Sequence, residues 1–184
     1  MSLTFNIKIP GVIYLQNNHL PGTVVSSFVE ILVSHSTVYE VILNLYYGSL
    51  TQFKTLSDIA AYDLPGNKYR FGLSYLFLST IYNTRFKLIT KLEEKSPKIK
   101  SLCEIYSGSL WLEREVWDFF GIFFLNHPDL RRLLTDYGYS GFPLRKDFPL
   151  VGFFDLFYND IDKKIFKNYL VLSQDFRNNL TIIN

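Results

Sequence analysis

The stretch "EREVWDFFGIFFLNHPDLRRLLTDYGYSGFPLRKDFPL", Glu113 to Leu150, carries charges at both ends and an apolar middle, with little of the vocabulary of an active site. Over "SLWLEREVWDFFG" the spacing predicts a helix closed by Gly121: at about 100° per residue, Leu112, Val116, Phe119 and Phe120 share one face, with Trp117 at its margin. Arg114, Glu115 and Asp118 fall on the other side. Glu113 projects between Phe120 and Trp117, inside the apolar arc. A carboxylate there needs a partner, because an unpaired buried charge costs several kcal/mol, as an order of magnitude. Two partners stand open: the free backbone amides and dipole of the helix's first turn, or an arginine of this chain or another.

Downstream, "NHPDLRRLLTDYG" predicts a second short helix, with Pro128 at its first position, Asp129 favoured by the dipole and Gly138 closing the end. Leu130, Leu133, Leu134 and Tyr137 would form its buried face. Asp129, Arg132 and Asp136 are spaced to pair along its side. His127, just before Pro128, is expected to cap or brace the turn rather than to ligate a metal.

Working outward, "SSFVEILV" predicts a strand from about Phe28 to Val33. "SHSTVYEVILNLYYG" predicts a helix capped by Ser36 or Thr37, with Val38, Val41, Ile42 and Leu45 inward and Gly48 at the C′ position. "TQFKTLSDIAAYD" is a second strand, Pro65-Gly66 a turn, and "YRFGLSYLFLST" with "RFKLITKL" an antiparallel hairpin about Asn83-Thr84. "SPKIKSLCEIYSG" predicts a short helix with Pro97 early and Gly108 after its end. From Tyr139 the text is aromatic and punctuated by Gly and Pro, without helical period or strict alternation. An arm of this kind, with Arg145, Lys146 and Asp147 embedded, suits lying along another protein; folding back over its own sheet weighs nearly as much. "LVLSQDFRNN" is a weak helical or extended end. The fold class is therefore α+β: helices on a mainly antiparallel sheet with an extended C-terminal arm, divided into an N-terminal extension (1–27), a core (28–138) and the arm (139–184).

Composition narrows the function. A chain of 184 residues with 48% hydrophobic and 20% charged residues is globular and can bury a core. Its 17 Phe and 13 Tyr suggest drift in an AT-rich, often organellar, genome. A net charge of +2 does not force a nucleic-acid partner. A single cysteine, Cys103, gives no disulfide framework and no thiolate set for an iron–sulfur cluster. His19, His35 and His127 form no metal motif, and no glycine pattern makes a dinucleotide or phosphate loop. No apolar run reaches the ~18 residues of a membrane span, so the chain is expected to be soluble, made where it works or imported without a cleaved leader. Glu113, Glu115, Asp118 and His127 lack a nucleophile elbow and oxyanion-hole glycines, which sets acid–base hydrolysis at long odds.

Glu113-Arg114-Glu115, then Asp118, then His127-Pro-Asp129-Leu-Arg131-Arg132 resembles the signature of the thirty-kilodalton (NuoC-type) subunit of respiratory complex I, the proton-pumping NADH:ubiquinone oxidoreductase. "LTDYGYSGFPLRKDFPL", "LSDIAAYDLPGNKYRF" and "YNTRFKL" extend the resemblance over roughly Phe28 to Asn179, and the mitochondrially encoded subunit-9 type is nearest. It implies a non-redox structural subunit of the peripheral arm, on the matrix side of the mitochondrial inner membrane. Its chief partner would be the forty-nine-kilodalton (NuoD-type) subunit, near the quinone-reducing end. FMN, iron–sulfur clusters, NADH and ubiquinone would all belong to other subunits, leaving no catalytic, cofactor or metal residue here. Glu113, Arg114, Glu115, Asp118, His127, Asp129, Arg131, Arg132, Arg145, Lys146 and Asp147 would then be docking residues. On that reading, Arg132→Glu or Asp147→Arg should harm assembly more than folding. Phe142 departs from the family's usual His, Asn159 from a common Asp, and Lys167-Asn168-Tyr169 replaces a Glu-Pro. The alternatives are a plastid-type relative serving plastoquinone, and a single-strand nucleic-acid binder using Tyr137, Tyr139 and Phe142 with Arg131, Arg132 and Arg145.

Overall fold

The computed structural model describes residues 12–17, 29–172 and 174, with side chains from Glu30 onward. Its frame is a five-stranded sheet in the order β1-β2-β5-β4-β3. The strands are β1 (Val12–Asn17), β2 (Val29–Val33), β3 (Thr55–Asp63), β4 (Phe71–Ser79) and β5 (Thr84–Leu92). The β2–β5 ladder is parallel, the others antiparallel. β4 and β5 form the expected hairpin, with Asn83 at φ 49° in its turn. Across it Phe71 faces Leu92, Leu73 faces Thr90, Tyr75 faces Leu88 and Phe77 faces Phe86, and all eight are buried. Ile31 beside Leu88 and Ile59 beside Tyr75 carry the same inner face onto β2 and β3. A one-residue slip would turn this whole set outward, so burial fixes the register. On the outer face Lys87 and Glu30 pair at 2.8 Å in register. The strand expected from Phe28 starts at Val29, Phe28 lying outside the described residues, and the N-terminal extension contributes β1.

Helix α1 (Val38–Tyr47) buries Val38, Val41, Ile42 and Leu45, as its spacing required. Its ends differ from expectation. Thr37 is the N-cap, but its hydroxyl donates back to the Ser34 carbonyl, 3.2 Å away, rather than capping the helix. Gly48 is extended at φ −59°, ψ 127°, not left-handed. It is small because a Cβ there would stand 2.5 Å from Thr51 Oγ1.

The helix expected over Ser96–Gly108 is a strand followed by turns. β6 (Lys98–Lys100) pairs in parallel with β7 (Phe123–Leu125). Lys98-Ile99-Lys100 alternates exposed, buried and partly buried, a period-two signal that the flanking Pro97 and Gly108 obscured. Between these strands runs α2 (Ser109–Phe120), with Gly121 left-handed at φ 72° at its end. No helix among the described residues is long and apolar enough to cross a membrane.

The chain divides into two compact units between Asp147 and Phe148, so the boundary expected at Gly138–Tyr139 falls inside the first. In the second unit β8 (Phe154–Asn159) and β9 (Lys164–Tyr169) form an antiparallel hairpin, regular structure where the sequence showed an irregular arm. "LVLSQDFRNN" lies mostly outside the described residues.

Candidate functional site

The second helix expected at 126–138 does not form, and the reason sits on α2. Asp118, fully buried, draws the backbone of Leu133–Thr135 onto itself. The amides of Leu133, Leu134 and Thr135 all donate to its Oδ2, at 3.1, 2.8 and 3.0 Å. The Thr135 hydroxyl and the Arg132 guanidinium donate to its Oδ1, at 2.6 and 2.9 Å. Amides that a helix would have used internally are thus taken by a carboxylate from elsewhere. Leu134 and Tyr137, placed by periodicity on a buried face, are exposed.

One turn earlier on the same helix, Arg114 holds the same segment by the opposite chemistry. Its guanidinium donates to the carbonyls of Arg131 and Arg132, both at 3.1 Å. Residues four apart share a helix face, so α2 presents a cation to carbonyls and an anion to amides along a single line. Arg114 and Asp118, on the side of the helix opposite its apolar face, are nonetheless 5% and 0% exposed. Arg132 closes the clasp, its second terminal nitrogen donating to the Gly141 carbonyl at 3.0 Å.

The C-terminus of α2 is capped from the same loop. Arg145 donates to the Phe120 carbonyl at 2.6 Å, and the Leu144 amide to the Phe119 carbonyl at 3.2 Å. Cations at a helix C-terminus also answer its dipole. Phe142 lies under Arg145 at 4.4 Å and Arg132 at 5.3 Å, so at this position an aromatic face meets two guanidiniums. Gly121 admits this arrangement: besides its positive φ, a Cβ there would meet Arg145 at 2.5 Å and Phe142 at 2.7 Å.

Glu113 does not take the amides of its own helix's first turn. It is fully buried, and its amide donor is Leu102, at 2.7 Å from the preceding turn rather than from its own helix. Among the described residues no arginine pairs with it. Burial raises its pKa above the usual carboxylate range, and bonds from Ser101, Leu102, Ser109 and Cys103 only partly offset this. For Asp118, burial alone would act likewise, but Thr135, Leu134 and Arg132 outweigh it and hold the carboxyl well below that range. The two carboxylates therefore load stability oppositely. Asp118 contributes above the unfolded carboxylate pKa and its share is lost in acid, whereas Glu113 is best tolerated below that pKa.

The remaining charges scatter. His127 braces its turn as expected: the Asp129 amide donates to Nδ1 at 3.1 Å, and Nε2 meets the Leu110 carbonyl at 3.2 Å. Asp129 pairs with Arg131, at 2.8 Å and largely in solvent, not with Arg132. Glu115, Lys146 and Asp147 are exposed. Sequence reasoning missed Arg70. Its guanidinium, 8% exposed, grips fully buried Asp63 at 2.7 Å and reaches Glu94 and Asp147. The Lys146 amide adds a bond to Asp63 at 2.8 Å. The Asp63 hydrogen bond to Arg70 is the main cause of that carboxyl's lowered pKa. The signal was only an Asp and an Arg flanking a turn.

The profile of a family described as "Respiratory-chain NADH dehydrogenase, 30 Kd subunit" matches residues 31–154, most of the described chain. The chain belongs to this family. NADH-ubiquinone oxidoreductase subunit 9 of Acanthamoeba castellanii is 46% identical over 147 residues, covering 80% of this chain and 74% of its own length. NADH dehydrogenase [ubiquinone] iron-sulfur protein 3 of Beta trigyna is 44% identical over 140 residues, covering 76% and 72%. In fold, the chain is similar to a trypsin-resistant fragment of Nqo5, with TM-score 0.53 and 24% identity over 64% of this chain and 89% of that one. Membership makes the chain a subunit of NADH:ubiquinone oxidoreductase. Glu113, Arg114, Asp118 and Arg132 all find partners inside this chain: Glu113 holds the turn after β6, and Arg114, Asp118 and Arg132 fix the loop over α2.

Proposed function

We propose that the chain is a non-redox structural and assembly subunit of mitochondrial complex I. It lies in the peripheral arm on the matrix side, supports NADH-to-ubiquinone electron transfer carried by other subunits, and docks chiefly on the forty-nine-kilodalton (NuoD-type) subunit. It has no catalytic site of its own. Family membership and the subunit-9 relatives support the setting. One cysteine in 184 residues supports the non-redox role, since clusters are held by sets of thiolates.

The observation that carries the docking role is the β8–β9 hairpin. Register places Phe154, Leu156, Tyr158, Ile165 and Tyr169 on one face, with Phe157 and Phe166 paired on the other, and all are exposed. A two-stranded hairpin is marginal alone in water, and an apolar patch of this extent marks an interaction surface. Glu115, Asp129, Arg131 and Lys146 supply an exposed charged complement. Arg132 cannot serve as a clean docking probe, because Arg132→Glu would break the clasp with Asp118.

The double variant Leu156→Asp, Ile165→Asp tests this reading. Surface substitutions of this kind shift folding stability by no more than about 0.5 kcal/mol, so the melting of the free chain should hold. The variant should nevertheless fail to enter the high-mass complex on a native gel. Normal incorporation would remove the hairpin as the docking element.

A further inference from the structure

Cys103, Glu113 and His127 meet beside the start of α2, and one ligand atom from each lies within 4.8 Å of the others. They come from three segments: the turn after β6, the helix itself, and the stretch after β7. We propose that this cluster binds a thiophilic divalent cation of the zinc type, tying the three segments together.

Geometry carries the assignment. Glu113 turns one oxygen to the Leu102 amide, and its Oε2 faces the Cys103 sulfur at 3.8 Å. On a tetrahedral zinc, with sulfur at about 2.3 Å and a carboxylate oxygen at about 2.1 Å, those two atoms stand about 3.6 Å apart. The pair is therefore already near the spacing that a shared ion demands. The Ser109 hydroxyl lies 3.4 Å from the sulfur and donates to the Tyr106 carbonyl at 2.8 Å, which fixes it beside the cluster. The imidazole is pinned between the Asp129 amide and the Leu110 carbonyl, and ligation exchanges one of these backbone contacts for the ion.

Charge points the same way. Glu113 is fully buried, and among the described residues no cation pairs with it. A buried carboxylate flanked by a thiol and an imidazole gains the counter-charge it lacks from a divalent ion. Thiolate, imidazole and carboxylate are ligands that zinc accepts together. Cys103 and His127 are only partly buried, which leaves a way in for the ion. Binding releases the thiol proton to solvent, so affinity rises with pH.

Cobalt(II) titration of the full-length chain tests the site. Cys103 is the sole cysteine, so a near-ultraviolet thiolate-to-cobalt band can arise from no other residue. The band should saturate at one ion per chain, give way to zinc and vanish in Cys103→Ser. His127→Gln should weaken binding about tenfold or more. A chain whose circular dichroism shows the sheet but which gives no band overturns the proposal, as does a band with undiminished affinity in His127→Gln. If the free chain lacks the sheet, alkylation of Cys103 in the assembled complex decides. Zinc should slow it, read on the Cys103 peptide by mass spectrometry, and an unchanged rate overturns the site.

Discussion

Asp118→Ala is expected to cost about 3–5 kcal/mol of folding stability, the range for breaking a buried charged network by removing one partner. The variant takes away an acceptor for three amides, a hydroxyl and a guanidinium at once. Arg132 keeps its bond to Gly141, but the amides of Leu133–Thr135 are left without their acceptor. Asp118→Asn should also be costly, because its NH2 would face donors. The loss has a pH signature. The native carboxyl is held well below its ordinary range, so its contribution is complete above the unfolded pKa of about 4 and fades as pH falls below that. Chemical denaturation of wild type and variant should therefore show a gap widest at neutral pH and narrowing in acid. A gap under about 1 kcal/mol, flat with pH, would mean that the loop over α2 is held by something else.

Arg70→Met is expected to destabilise comparably, by about 3–5 kcal/mol, because it strands Asp63 as a fully buried charge that keeps its hydrogen bond from the Lys146 amide but loses its ion pair. The network is uneven. Glu94 and Asp147 are 61% and 58% exposed, so Glu94→Gln should cost no more than about 1 kcal/mol. Adding Asp63→Leu to Arg70→Met should restore much of the loss, since well-packed apolar pairs often replace buried ion pairs without penalty. A double-mutant cycle by denaturation checks both statements. A double variant no better than Arg70→Met alone would show that packing, not the stranded carboxylate, accounts for the cost.

Where local signals were strong the fold was legible. The β4–β5 hairpin, α1 and α2 follow from alternation, 3.6-residue spacing and the glycines that end the helices. Ser96–Gly108 and Asn126–Gly138 read as helices because their prolines and glycines sit at helix-end positions. Yet Lys98-Ile99-Lys100 pairs with a strand 25 residues later, and Leu133–Thr135 gives its amides to Asp118. Both contacts are tertiary and outweigh propensities of a few tenths of a kcal/mol per residue. The candidate site was legible as a list of residues but not as a set of orientations. Helical projection put Arg114 and Asp118 opposite the apolar face and could not show that a loop of this chain folds back over that side. Arg70 was invisible for the same reason: its meaning depends on Asp63 reaching it across the β3–β4 turn and on Asp147, 77 residues further on.

On the proposed function, the exposed hairpin and the scattered surface charges meet other chains while the internal networks hold this one together. Native electrophoresis of mildly solubilised mitochondrial membranes, probed for this chain and stained for NADH dehydrogenase activity, tests it most directly. Co-migration of the chain with the active band at very high mass is the expected result. An active high-mass band without the chain, and the chain running as a small free species, would contradict it.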